Sequence, residues 1–247
     1  MNIIIIIPIV LGWLAALLVN YLSDVLPATR KLTSPTCQQC AAKSAWTDYL
    51  LLKGCVACGK TRSWRTWLVQ LLGVAASLYI WFVPPNKLGY WLGFILLIYL
   101  AVVFVIDVEH RLVLHPVSIF GAFLSLGIGY LYRGFLPTIL GGVVGFGIMF
   151  LLYYLGVLFA RWSSRRKGAE IEEGDALGFG DVILAGVLGL LLGYPAIIGG
   201  ILTAILAAGA FSILLIIGMF ITKRYEAFTA IPYAPFLILG ALALLYW

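Results

Sequence analysis

Charged side chains are scarce in this 247-residue sequence: they make up 11% of it, against 63% hydrophobic residues. With a mean hydropathy of +1.08, that shortage excludes a soluble globular domain, whose charged share is about a quarter, and makes the bilayer the solvent. Also missing is any H-E-x-x-H helix, which removes the metalloprotease arrangement of two zinc-binding histidines one turn apart. The two histidines, His110 and His115, have no nucleophilic partner in the pattern: the cysteines read as metal ligands, and Ser118 falls on an apolar helix face where packing is the simpler reading. Internal repeats and low-complexity linkers are absent. A removable signal peptide is not expected, because the first apolar run, Ile3 to Leu22, has the ~20 residues of a spanning helix and no basic n-region.

What is present is a series of apolar runs at 3–22, 66–83, 89–107, 115–132, 137–160, 181–194, 195–221 and 230–247. They predict an all-α membrane protein of about eight transmembrane helices. The division within 181–221 rests on the break at Gly193-Tyr194-Pro195, since that stretch is too long for one crossing. The net charge of +6 and pI near 9.2 point to cytoplasmic loops, with no nucleic acid partner expected. With the N-terminus outside, fourteen of the sixteen basic residues and all ten acidic residues fall on the cytoplasmic side, leaving only Lys87 and Arg133 outside. Both termini then lie outside and the polar machinery faces the cytoplasm. The expected organisation is a first helix at 1–22, a cytoplasmic loop at 23–65 and a transmembrane core at 66–247. Pairs such as Gly141-Gly142 and Gly199-Gly200 read as close helix packing.

All four cysteines lie in the 23–65 loop, as Cys37-Gln-Gln-Cys40 and Cys55-Val-Ala-Cys58. Two C-x2-C knuckles joined by a short hairpin supply four thiolates in tetrahedral array, the donor set of structural zinc. Two disulfides are the competing reading, disfavoured in a reducing cytoplasm. Four protein ligands leave no open coordination position, so the metal would fold the loop rather than catalyse.

Asp107 closes the third run in Val-Ile-Asp-Val-Glu-His-Arg, and Asp181 opens the sixth in Gly178-Phe-Gly180-Asp181. Taken singly, the first reads as interfacial solvation and the second as a helix N-cap. Their shared depth at the cytoplasmic boundary, with Gly178 and Gly180 allowing a peptide backbone to come close, reads instead as a carboxylate pair. Two carboxyls in one low-dielectric site share a proton, so that one activates water while the other polarises a scissile carbonyl. A bell-shaped pH profile would follow.

These residues resemble the type IV prepilin peptidases, bacterial membrane aspartyl proteases of the GxGD class, over nearly the whole chain. Asn20 with Pro27 looks like the family's N-x6-P, the cysteine knuckles like its zinc loop, and Ile106-Asp107 like its first catalytic aspartate. Gly178-Phe179-Gly180-Asp181 is similar to its G-x-G-D, and Ile231-Pro232-Tyr233-Ala234-Pro235-Phe236 to its I-P-F-G-P-F. The resemblance implies cleavage of a short basic leader after glycine in prepilins or pseudopilins, at the cytoplasmic face of a bacterial inner membrane. It also implies, for many members, N-methylation of the new terminus by S-adenosylmethionine. The chain departs from the pattern at Gln70, where a glutamate linked to methylation is usual, at Val25 and Ile183, at His115-Pro116, and in lacking a proline after Cys37. The departures bear on methyl transfer; both carboxylates and the glycine motif are intact.

The run Glu170, Glu172, Glu173 and Asp175 leads into the G-x-G-D segment. A solvated loop is its plain reading; the functional one is attraction of a basic leader. From another class altogether stands a non-catalytic assembly factor or transporter with interfacial aspartates, and within proteolysis an intramembrane protease acting on other helices. Leader processing after substitution of either aspartate separates the first from a peptidase, and a requirement for a basic leader ending in glycine separates the second.

Overall fold

The computed structural model describes residues 3–37, 40, 42–85, 88–167, 178–222 and 232–246. Among them the chain is helical throughout: α1 (Ile3–Thr29), α2 (Trp46–Leu50), α3 (Trp64–Phe82), α4 (Gly89–His110), α5 (His115–Arg133), α6 (Phe135–Lys167), α7 (Phe179–Leu192), α8 (Ala196–Ile221) and α9 (Ala234–Tyr246). No strand forms among the described residues, only one antiparallel bridge between Thr36 and Lys43. A helix stands at each of the eight apolar runs, with α2 added inside the loop. Five of them, α1, α4, α5, α6 and α8, are long and apolar enough to cross a membrane, so the protein is a multi-pass membrane protein. At 1.5 Å per residue, the 14 residues of α7 and 13 of α9 extend about 21 and 20 Å, short of the ~30 Å hydrocarbon core.

The chain forms two compact units, Met1–Ile106 and Asp107–Trp247. In the first, α1 packs against α3 along a seam of small residues: a Cβ on Gly12 would stand 2.8 Å from the Ser77 Cβ, and one on Gly73 2.7 Å from that of Ala16. Close backbones let short polar side chains bridge the helices, where hydrocarbon offers them no other partner. The Ser77 hydroxyl donates to the Pro8 carbonyl at 2.8 Å, Gln70 Nε2 to the Trp13 carbonyl at 3.3 Å, and Asn20 Nδ2 to the Gln70 side-chain oxygen at 3.4 Å.

The first helix continues seven residues beyond its expected end at Leu22. Asp24, which should have ended an apolar run, is instead satisfied inside the fold: Arg65 pairs with it and the Tyr49 hydroxyl donates to it at 2.8 Å. Tyr21, Val25 and Tyr49 bury one another around it. Burial, and then the Asp24 carboxylate, push the Tyr49 phenol's pKa up, which keeps it a donor.

In the second unit α7 is the central element, buried on nearly every side by α5, α6, α8 and α9. Surrounded by protein rather than lipid, it need not match the bilayer's thickness. Its approach to α6 depends on glycine on both helices, because a Cβ on Gly141 would strike the Gly189 carbonyl and one on Gly189 the Gly141 carbonyl. Gly129 of α5 is likewise backed by the Leu190 carbonyl. The break expected after α7 is present, with Gly193 at φ +67 capping the helix. By contrast α8 is exposed apart from Ile197, Gly200, Ile201 and Ala204 at its start, the aspect of a helix facing lipid.

Gly189→Val should destabilise the fold by about 1–3 kcal/mol, as overpacking of a tight contact does, while Gly147→Val, at a position with nothing within 4 Å of its added Cβ, should be neutral. Thermal unfolding in detergent compares the two.

Candidate functional site

Asp107 lies in the last turn of α4 and Asp181 in the first turn of α7. Both belong to the second unit and both are buried, at 4% and 7% exposure. The charge of Asp107 is felt at Asp181, so carboxyls that are 74 positions apart in the chain share one electrostatic environment. Each is held by one backbone N–H at a helix start. Gly178, the N-cap of α7, donates to Asp181, and Ala234, the first residue of α9, donates to Asp107. The positive end of a helix dipole therefore faces each carboxyl. One oxygen of each, Oδ2 of Asp107 and Oδ1 of Asp181, has no hydrogen-bond partner among the described residues. Buried polar atoms without partners are rare, and cluster where a ligand or reacting group belongs.

The two residues before it aim Asp181. The Phe179 ring packs edge-on against Tyr153 at 5.8 Å and Phe146 at 6.5 Å, both on α6. Gly180 faces the turn after α4, where an added Cβ would stand 2.7 Å from the Val113 Cβ. With those two positions fixed, Asp181 turns inward. The room at Gly180 is thus filled by Val113, while among the described residues the Cβ position of Gly178 is 3.5 Å from Asp181 Oδ2 and otherwise nearly clear.

The remaining candidates separate cleanly. His110 and His115 are exposed, and the Ser118 hydroxyl donates to the Leu114 carbonyl at 3.2 Å, as expected of a packing residue. Glu170, Glu172, Glu173 and Asp175 lie outside the described residues. Sequence reasoning gave Tyr233 and Ala234 no part, although the Ala234 N–H holds Asp107 and the Asp181 charge reaches the Tyr233 phenol. Their only signal was the proline-flanked motif at the start of α9, which marks a helix beginning. Asp24 and Arg65, which tie the two ends of the 23–65 loop together, also went unassigned.

In the first unit the four cysteine sulfurs converge to within 4.8 Å of one another. Cys37 and Cys58 Sγ are 3.7 Å apart, Cys40 and Cys55 Sγ 3.6 Å. The edge of a tetrahedron with metal–sulfur bonds of 2.3 Å is about 3.8 Å, so the cluster can hold a metal ion, and the thiols are free of disulfides. Each knuckle closes on backbone hydrogen bonds, from the Cys37 N–H to the Ala42 carbonyl and from the Cys55 N–H to the Lys60 carbonyl, both 2.9 Å. Gly59, at φ +69, takes the left-handed turn that follows Cys58.

Buried carboxyls joined at helix ends within a bundle of apolar helices define a membrane protein with an ionisable interior site. The chain belongs to the type IV leader peptidase family, which matches residues 94–217, about half of its length. The match covers Asp107, Gly178, Gly180 and Asp181, and leaves the cysteine loop and the α9 motif outside it. No curated protein and no solved structure matches the chain. Family membership implies a peptidase.

Elemental analysis of the purified protein should find about one divalent metal per chain, the stoichiometry of a four-thiolate site. Replacing Cys40 and Cys55 together by Ser should remove it and open the 23–65 loop to proteolysis, since the metal supplies the folding energy such a loop lacks.

Proposed function

We propose that the protein is an aspartyl endopeptidase that removes the basic leader of type IV prepilins or pseudopilins, with Asp107 and Asp181 as its catalytic pair. What supports this above all is the shared electrostatic environment of two buried carboxyls, each held by one backbone N–H and each keeping an oxygen without a partner among the described residues. Family membership supplies the reaction class. In the proposed reaction the pair holds one proton. The ionised carboxylate takes a proton from water as it attacks the scissile carbonyl, the protonated carboxyl stabilises the developing oxyanion, and the leaving amine is protonated as the bond breaks. Substrate enters over Gly178 with its backbone extended, because helical backbone shields its carbonyls from attack.

Eight crossings, counting α3 as a span and α7 and α9 as protein-lined passages, put both termini outside and the carboxyls and cysteine loop at the cytoplasmic side of a bacterial inner membrane. Support for this comes from the segregation of basic residues. The organisation is then a first helix, a loop at 23–65 folded by structural zinc, and the transmembrane core at 66–247. At Gln70 the chain carries an amide that accepts from Asn20 and donates to Trp13, so leader cleavage is proposed as the activity and methylation by S-adenosylmethionine is left to direct measurement.

Incubated with a prepilin-like peptide, the purified chain should release a leader ending in glycine, read from the masses of both products; the mass of the new N-terminus reports any added methyl group. Asp107→Asn and Asp181→Asn should each lower cleavage by at least about 10²–10⁴-fold, the usual worth of a general acid or base, with expression unchanged. Processing that survives either substitution would establish the non-catalytic alternative. Neutralising Glu170, Glu172, Glu173 and Asp175 together should slow cleavage and flatten its dependence on salt, if these residues draw in the leader's Lys and Arg.

A further inference from the structure

Between α1 and α3, residues 30–63 carry six basic side chains and one acidic, Asp48. The surplus of five positive charges falls only to three when a divalent ion held by four thiolates is counted. Three of the basic residues, Lys43, Lys53 and Arg62, line an open groove together with Val56 and Ala57 of the second cysteine knuckle. Arg62 is fixed there, its Nε donating to the Lys53 carbonyl at 3.2 Å and its guanidinium lying 4.3 Å over the Tyr49 ring. Asp48 is engaged by Lys53 at 4.0 Å, so the groove keeps a net positive charge.

The same module leaves large apolar side chains in the open. Val56, at the tip of the knuckle, is 88% exposed, Trp64 is 80% exposed, and Leu50 and Leu51 beside Lys53 are exposed as well. Exposed apolar side chains interleaved with Lys and Arg are the composition of a surface that lies in a lipid interface, and tryptophan at the mouth of a span is the usual interfacial anchor. The module is tethered within a residue or so at both ends, at Thr29 to the candidate span α1 and at Trp64 to α3, which packs on α1, and the Tyr21, Val25 and Tyr49 cluster clamps it to the end of α1. That tethering raises the effective concentration of the leaflet above that of any soluble partner.

We propose that this module docks on the anionic leaflet of its own membrane, with Lys43, Lys53 and Arg62 taking phospholipid phosphates and Val56, Leu50 and Leu51 entering the headgroup region. Docked in this way, the module has its groove filled by lipid and the second knuckle withdrawn from water.

The full chain reconstituted in nanodiscs of phosphatidylcholine, alone or mixed with phosphatidylglycerol, tests this by amide hydrogen exchange across residues 43–63. Exchange should be slower in the anionic discs, and high salt should abolish the difference. Lys43→Gln and Lys53→Gln should each reduce the protection by about fivefold, the worth of one basic residue at an anionic surface. Val56→Asp should do the same with metal content unchanged. Equal exchange in the two kinds of disc, or protection indifferent to all three substitutions, would overturn the proposal. Because the readout is exchange rather than cleavage, the result is independent of whether the protein is a leader peptidase.

Discussion

The arrangement that everything else in the second unit serves is the burial of two carboxyl groups beside each other in a protein whose solvent is hydrocarbon. An ionised carboxylate deep in such a medium is unstable unless polar groups replace the water it has lost. Among the described residues backbone N–H groups do most of this, with the Arg111 charge helping at Asp107. Gly178 serves Asp181 within the start of α7 itself, whereas Ala234 reaches Asp107 only if the start of α9 meets the last turn of α4. That convergence requires α7 to be held in the middle of the unit, which in turn requires the backbones of α6 and α7 to touch at Gly141 and Gly189. The glycine seam and the carboxyl pair are therefore one design: the first brings the helices close enough for the second to exist. The same logic explains why α7 is shorter than a spanning helix, since protein surrounds it.

The first unit solves a different problem with the same economy of polar groups. A loop with few apolar residues has no core of its own, and residues 30–63 are organised by four convergent thiols, two backbone-closed knuckles and the ties at their ends. Asp24 and Arg65 close the base of the loop, and Tyr49 joins them with a hydroxyl donor while its ring carries Arg62. Beneath them, Asn20, Gln70 and Ser77 fasten α1 to α3 through bonds that have no competitor in hydrocarbon. Gln70 is thus part of the joint between two helices, whatever chemistry a carboxylate at that position would have allowed.

Sequence reasoning succeeded where one residue type has few uses. Long apolar runs located the helices, five of them long and apolar enough to cross a membrane, and paired C-x2-C knuckles announced four converging sulfurs able to hold a metal ion, because tetrahedral thiolates demand that spacing. It fell short at the ends. The first helix was expected to end at Leu22 and instead runs on through Asp24 to Thr29, since an ion pair from a residue 41 positions away satisfies that carboxylate. Gly180 looked like room for substrate, yet Val113 occupies that room. The Pro-Tyr-Ala-Pro segment was legible as the beginning of a helix, but nothing in its spelling says that its first N–H points at Asp107.

By itself, then, the chain's spelling determined its solvent, its helices, the four-cysteine cluster and the two acidic residues worth pairing, because each follows from local composition or short spacing. Only the tertiary structure decided that the Asp107 charge is felt at Asp181, that the start of α9 serves Asp107, and that Val113 backs Gly180. Those facts depend on contacts between residues far apart in the chain, and hydrophobic periodicity carries no information about which helix ends come together.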